Sequence, residues 1–273
     1  IEALPVKTIL LTGAGGSVGG FLRQTLTQKY KLRLSDNVPI ECNHANESFV
    51  LADAASLDEM LVASDGVDGI IHMGGVSRES DWDSIFQVNI GGAYNVYEAA
   101  RINKVPRVIF PSSNHAVGFY RRDQTIPVET MIRPDSRYGV SKAFGEAIGS
   151  LYADKYGLKV LCLRIGNVAD KPVDRRRLSI WISPRDLTQL VDIGLEHPDL
   201  HFAVMYGVSG NGRSWYKDEF AEKFGYRPMD NSEDWADEVL AESPPLDATS
   251  KADQHQGGDF CVTEEGGGVP LKA

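Results

Sequence analysis

The sequence predicts a doubly wound α/β fold, a parallel sheet with helices on both faces. Three observations predict it. Short apolar runs alternate with longer amphipathic ones over most of the chain, a glycine cluster separates the first strand from the first helix, and the apolar runs show no one-face alternation. Repeated strand–helix alternation of this kind gives parallel strands joined by right-handed crossovers, and strands buried on both faces read as continuous apolar runs.

The elements follow in order. Val6 to Thr12 reads as a buried strand, and Gly20 to Lys29 as the helix after the glycine cluster. Leu32 to Leu34 and Phe49 to Leu51 read as the second and third strands, then Leu57 to Ala63 as helix and Gly69 to His72 as strand. Ile85 to Asn103 predicts one long helix, Val108 to Phe110 a fifth strand, Arg137 to Tyr156 a helix and Val160 to Ile165 a sixth strand. Beyond Gly166 the texture changes. An arginine-rich stretch from Ala169 to Arg177 precedes a helix at Pro184 to Leu195 and a strand at Phe202 to Tyr206. A polar loop at Ser209 to Gly212 and an amphipathic helix at Tyr216 to Phe224 follow, and the Pro, Asp and Gly-rich tail from Pro244 onward is expected to lie extended over the body. No linker or repeat interrupts the chain. Residues 1–273 are expected to form a single Rossmann-type domain, with 167–273 contributing a small substrate-binding cap.

At 273 residues, 42% hydrophobic and 24% charged, the composition excludes a disordered tail protein and a fibrous repeat. No apolar run approaches the roughly 18 residues of a membrane helix, and Ile1 to Pro5 lacks the basic and apolar regions of a signal peptide. A cytoplasmic protein is expected. Lys and Arg number 28 against 38 Asp and Glu, a net charge of −10 that repels phosphate backbones and argues against nucleic-acid binding. An anionic substrate would need a local basic cluster. Cys42, Cys162 and Cys261 are too far apart for a zinc pattern, His44, His197 and His201 show no ligand grouping, and no metal is expected.

The turn after the first strand reads Gly13-x-x-Gly16-x-x-Gly19. Such a turn needs unusual backbone angles and close approach to a pyrophosphate, and the following helix offers free N–H groups and its positive dipole end. A dinucleotide is the ligand this context predicts. The second strand runs into Asp36, placed to accept from ribose hydroxyls and repel a 2′-phosphate, and Asn37, Val38 and Pro39 supply no arginine to welcome one. NAD is therefore expected over NADP. Asp53 and Ala54 after the third strand suit the adenine, and Met73, Gly74 and Gly75 after the fourth let the cofactor lie against the backbone.

Tyr138 and Lys142 stand four apart, on one face of a helix. Holding a tyrosine as phenolate near neutral pH takes roughly 4 kcal/mol, part of which a neighbouring ammonium supplies, and the pair can then act as general base on a hydroxyl. Ser112 and Ser113 follow the fifth strand, at the carboxyl ends of the sheet where ligands of this fold sit, so both hydroxyls are expected to point into the same crevice.

Together, the glycine turn, Asp36, Ser113 and Tyr138-x-x-x-Lys142 resemble the extended short-chain dehydrogenase/reductase superfamily. A narrower resemblance, to the uronate dehydrogenases, rests on His72-Met-Gly-Gly-Val-Ser77, Ser112-Ser-Asn-His115, Arg164-Ile-Gly166, Trp181, Tyr206-Gly-Val-Ser209, Trp215 and Gln256-Gly-Gly-Asp-Phe260. It implies oxidation of the anomeric carbon of galacturonate or glucuronate by NAD, giving the aldarolactone, in a homo-oligomer. It implies Tyr138 as base, Lys142 as its electrostatic support and Ser113 as the orienting hydroxyl. Cofactor contacts are implied at Ser17, Val18, Asn89, Ser112 and Ile165, and substrate contacts at Ser77, Asn114, His115, Asn167 and Arg176, with Phe260 closing the pocket.

The run Asp174-Arg175-Arg176-Arg177 is the one dense positive patch in an acidic chain, and a guanidinium grips a carboxylate through two parallel hydrogen bonds. The family has a single arginine there, so the surplus also admits a 6-phosphate or 6-sulfonate. Asn167 stands where uronate enzymes carry serine and nucleotide-sugar epimerases asparagine, which keeps an epimerase as the rival class. A cofactor-binding protein without catalysis is the remaining alternative, and the intact Ser113, Tyr138 and Lys142 argue against it.

Overall fold

The computed structural model describes residues 6–263; Ile1 to Pro5 and the tail beyond 263 lie outside the described residues. The chain runs β1 (Thr8–Thr12), α1 (Ser17–Leu26), β2 (Lys31–Asp36), β3 (Glu47–Leu51), α2 (Leu57–Ser64), β4 (Gly69–His72), α3 (Trp82–Ser84), a π-helix (Ile85–Gly91), α4 (Gly92–Ile102) and β5 (Arg107–Phe110). It continues through β6 (Ile126–Pro127), α5 (Arg137–Tyr156), β7 (Lys159–Ile165), β8 (Asn167–Val168), α6 (Arg177–Ile180), β9 (Trp181–Ile182), α7 (Pro184–Glu196), β10 (Phe202–Gly207), β11 (Tyr216–Lys217), α8 (Glu219–Lys223), α9 (Ala236–Glu242) and α10 (Lys251–Gln254).

Seven strands form one parallel sheet in the order β3-β2-β1-β4-β5-β7-β10. The order reverses between β1 and β4, which opens a crevice beyond their carboxyl ends. Both faces are buried, as the continuous apolar runs require. Ile9 and Leu11 pack with α1 and α7 on one side, and Leu10 packs with α2, α4 and α5 on the other. Helix α5 reaches the sheet through small residues. A Cβ on Gly145 would lie 2.0 Å from the Phe110 ring, so any larger residue would lift the helix that carries Tyr138 off its seat.

Three expectations need correction. The helix expected from Ile85 to Asn103 is broken into a π-helical stretch, Ile85–Gly91, followed by α4. The wider turn faces Asn89 toward Val76, whose N–H it accepts at 2.8 Å and whose carbonyl it donates to at 2.9 Å. The helix expected from Tyr216 starts only at Glu219. Asp218 caps it by accepting from Ala221 N–H, while Tyr216 and Lys217 pair in parallel with Ile126 and Pro127. The tail after Pro244 is not simply extended: it forms α10 and a 3₁₀ turn, Gly258–Cys261. Among the described residues no helix is long and apolar enough to cross a membrane.

Candidate active site

Two cavities line the carboxyl ends of the strands and share the wall Met73–Val76. The first, of about 530 Å³, is lined by Gly13, Gly15, Gly16, Asp36, Asn37, Asp53, Ala54 and the shared wall. Gly13 has φ +64°, and a Cβ there would stand 2.5 Å from the Gly74 nitrogen, so only glycine lets β1 turn this close to the strand beside it. Asp36 accepts from the N–H groups of Gly15 and Asn37, each at 2.9 Å, and so faces the mouth of the glycine turn. Gly16 caps α1 without a side-chain bond, which leaves the helix start, with Ser17 at its first position, presenting bare N–H groups. An elongated dinucleotide fits this shape: an acidic ribose site, an N–H cradle, and a passage along Met73–Gly75 to the second cavity.

The second cavity, about 310 Å³, brings together nearly every remaining candidate: Val18, Ser77, Ser112, Ser113, Asn114, His115, Tyr138, Lys142, Ile165, Asn167, Arg176 and Phe260. Ser113 bridges to Ile165 and is positioned by the His115 N–H, which donates to its hydroxyl at 3.2 Å. Tyr138 sits one residue inside α5, whose start is pinned by Ser136 and by the buried carboxylate of Glu79 accepting from Arg137 and Tyr138 N–H. Phe260 stacks on His115 with ring centres 3.7 Å apart and lies 5.9 Å from the Tyr138 ring.

Two candidates behave differently from expectation. Adjacent residues of an extended chain point to opposite sides, and Ser112 turns its hydroxyl away from the crevice to Glu146 at 2.5 Å. Only Ser113 of the expected pair presents its hydroxyl to the cavity. Asn89 spends its amide on Val76 and Ser141, so it buttresses the shared wall from behind. The electrostatics of the pair on α5 are set by burial. Burial pushes the Tyr138 phenol up to about 12 even though a hydrogen bond from Ser113 pulls it down, and burial pushes Lys142 down to about 8. In this protein alone, Tyr138 is a phenol.

The arginine run divides its labour. Arg177 is engaged by Asp174, which takes up part of the surplus positive charge. Arg176 donates through Nε to the Gln256 carbonyl at 2.8 Å and through Nη2 to the Asn114 amide oxygen at 3.1 Å, with no carboxylate paired to it among the described residues. Burial lowers its affinity for the proton. Asn167 Oδ1 is buried without a hydrogen-bond partner at the same cavity. Sequence reasoning missed Asp135, Glu79 and Glu146; each is an isolated acid in sequence whose partner arrives only through the fold. Among the described residues no cluster of His, Cys, Asp or Glu could hold a metal ion.

The model of the NAD dependent epimerase/dehydratase family matches residues 9–183. The chain belongs to that family. Within it, the chain is 43% identical to a uronate dehydrogenase of Pseudomonas syringae pv. tomato, covering 95% of this chain and 94% of that protein. Its fold superposes on a glucuronic acid dehydrogenase from Chromohalobacter salexigens with a TM-score of 0.93 at 40% identity, over 98% of this chain and 100% of that one. It also superposes on a mutant uronate dehydrogenase from Agrobacterium tumefaciens complexed with NAD, with a TM-score of 0.91 at 36% identity, over 94% and 97% of the two chains. The family resemblance thus extends through the region beyond Gly166 that holds Arg176 and Phe260.

Proposed function

We propose that the protein oxidises a hexuronate, galacturonate or glucuronate, at its anomeric carbon with NAD, releasing the aldarolactone. The observation that carries this reading is Arg176, a half-buried guanidinium with no carboxylate paired to it among the described residues, in the cavity that holds Tyr138 and Ser113. A cation partly withdrawn from water in that state is completed by an anionic ligand, and its planar fork matches a carboxylate. The unpartnered Asn167 Oδ1 suits a hydroxylated ring, since buried polar atoms rarely go without a partner.

Bound NAD would supply the hydride acceptor and, when oxidised, positive charge that favours a phenolate. The chain does the rest. Arg176 grips the C6 carboxylate and so sets which end of the sugar enters first. Ser113 orients the anomeric hydroxyl. Tyr138 takes the proton of that hydroxyl while hydride departs C1, and the cyclic sugar becomes the lactone directly, with its ring intact. Lys142 favours the phenolate that Tyr138 becomes. Phe260 covers the ring and excludes solvent, which strengthens each of these interactions. In this reading residues 1–273 act as one domain, and 167–273 supply the cap that brings Arg176 and Phe260 to the sheet.

Initial rates of NAD reduction with galacturonate, glucuronate, glucose 6-phosphate, a 6-sulfonated glucose and glucose test the proposal. Turnover of a uronate with little on glucose supports it, and its loss in Tyr138→Phe with NAD binding intact supports the assigned base. Activity confined to the phosphate or sulfonate would move the substrate to a dianion, and silence on all five would favour an epimerase.

A further inference from the structure

His115 is held by a buried partner that no sequence motif announces. Its Nδ1 lies 2.7 Å from Asp135 Oδ2, and the Asp135 side chain is wholly buried. The other oxygen of Asp135 accepts from the Ser136 hydroxyl at 2.7 Å, and that hydroxyl in turn accepts from Gly139 N–H at the start of α5. The carboxylate has no room to turn. A Cβ on Gly118 would fall 1.7 Å from it and one on Gly257 2.0 Å, so two glycines from distant parts of the chain close around it. The imidazole is fixed as firmly, by Phe260 stacked on one face at an interplanar angle of 23°.

We infer that Asp135 is a positioning residue that holds His115 as the Nδ1–H tautomer, so that His115 meets a substrate hydroxyl as a hydrogen-bond acceptor through Nε2. An ionised carboxylate only accepts, so the ring nitrogen facing it must carry the proton, and in a neutral imidazole the other nitrogen is then a lone pair. The ring is neutral because burial penalises its charged form more than the Asp135 carboxylate favours it, and the Arg176 and Arg177 cations add to that penalty. Tyr138, the remaining titratable group against it, presents its ring 5.8 Å away and is itself uncharged. The cavity is therefore polar in two senses. Arg176 offers donors to a carboxylate, whereas His115 offers an acceptor and rejects one. The sugar consequently enters with its carboxylate toward Arg176 and a donating hydroxyl toward His115. This inference rests on the hexuronate reading above.

Two measurements on the full chain test it, and they fail separately. Long-range ¹⁵N–¹H spectra of the labelled protein at neutral pH should show His115 with Nδ1 protonated and Nε2 bare, and Asp135→Asn should shift population to the Nε2–H form. An Nε2–H or doubly protonated His115 in the unsubstituted protein overturns the inference whatever the enzyme turns over. In kinetics, Asp135→Asn should raise KM for the uronate about tenfold, the worth of one hydrogen bond, with KM for NAD unchanged. Among monodeoxy glucuronates, one should lose about tenfold in kcat/KM with the unsubstituted enzyme and show no further loss in Asp135→Asn. Equal losses in both proteins for every deoxy sugar overturn the acceptor role. Absence of any uronate turnover removes the hexuronate reading and leaves the tautomer to be decided by the spectra, which also stand if Asp135→Asn fails to fold.

Discussion

Lys142 Nζ stands 5.3 Å from the centre of the Tyr138 ring, one turn further along α5, and burial drives each group toward its own neutral form. With Tyr138 near 12 and Lys142 near 8, the phenolate fraction grows tenfold per pH unit throughout the working range, while the supporting ammonium fades above about 8. The product of the two fractions rises up to about pH 8 and is flat beyond it. We therefore expect kcat/KM to climb to a plateau near that pH, and Lys142→Met to remove the break. A pH profile settles this, and an acid-side plateau from pH 6 would contradict it.

Replacing Arg176 with Met should raise KM for the uronate about a hundredfold while leaving kcat/KM for neutral glucose unchanged, because a charge-assisted pair disappears and no group reacting at C1 is touched. Arg176→Lys should recover little, since an ammonium lacks the planar fork. Steady-state kinetics on both sugars distinguish this from a general loss of structure, which would depress glucose turnover too.

Asp36 accepts from Gly15 and Asn37 N–H at the mouth of the glycine turn, where its carboxylate would oppose a 2′-phosphate. Asp36→Ser should weaken NAD about tenfold and bring NADP into a measurable range, so that the ratio of kcat/KM for the two cofactors falls by more than either changes alone. An unchanged ratio would mean that discrimination lies elsewhere.

Glu146 on α5 and Arg164 on β7 form a buried pair, with both carboxylate oxygens held at 2.9 Å, and Ser112 donates to the same carboxylate. Glu146→Gln leaves a buried guanidinium uncompensated at a cost of about 3–5 kcal/mol. The expected fall in Tm is about 10 °C. The double variant Glu146→Met with Arg164→Met should regain most of it, because replacing both charges removes the desolvation cost along with the attraction. Calorimetry of the three proteins tests this, and a double variant less stable than Glu146→Gln would refute it.

The sheet was legible because strands buried on both faces leave unbroken apolar runs, and the glycine turn because only glycine fits where Gly13 passes Gly74. Tyr138, Lys142 and Ser113 were legible as a set and do meet at one cavity. What escaped was whatever depends on two distant segments meeting. Tyr216 and Lys217 look helical until Ile126 and Pro127 offer them a parallel partner. Ser112 looks like a second crevice hydroxyl until Glu146 draws it inward. Asp135 carries no signal of its own until His115 arrives beside it. The effect of burial on Tyr138 and Lys142 was not legible for the same reason, since helical spacing reports a neighbour but not the depth at which both are buried.

Phe260 comes from a late segment of the chain and roofs a cavity whose floor, Ser113 and Tyr138, is laid down much earlier. The two halves of the site therefore have different histories during synthesis. All seven sheet strands and the glycine turn are complete by Gly207, some fifty residues ahead of the turn that carries Phe260, so the nucleotide half of the site is synthesised before the roof that encloses a substrate.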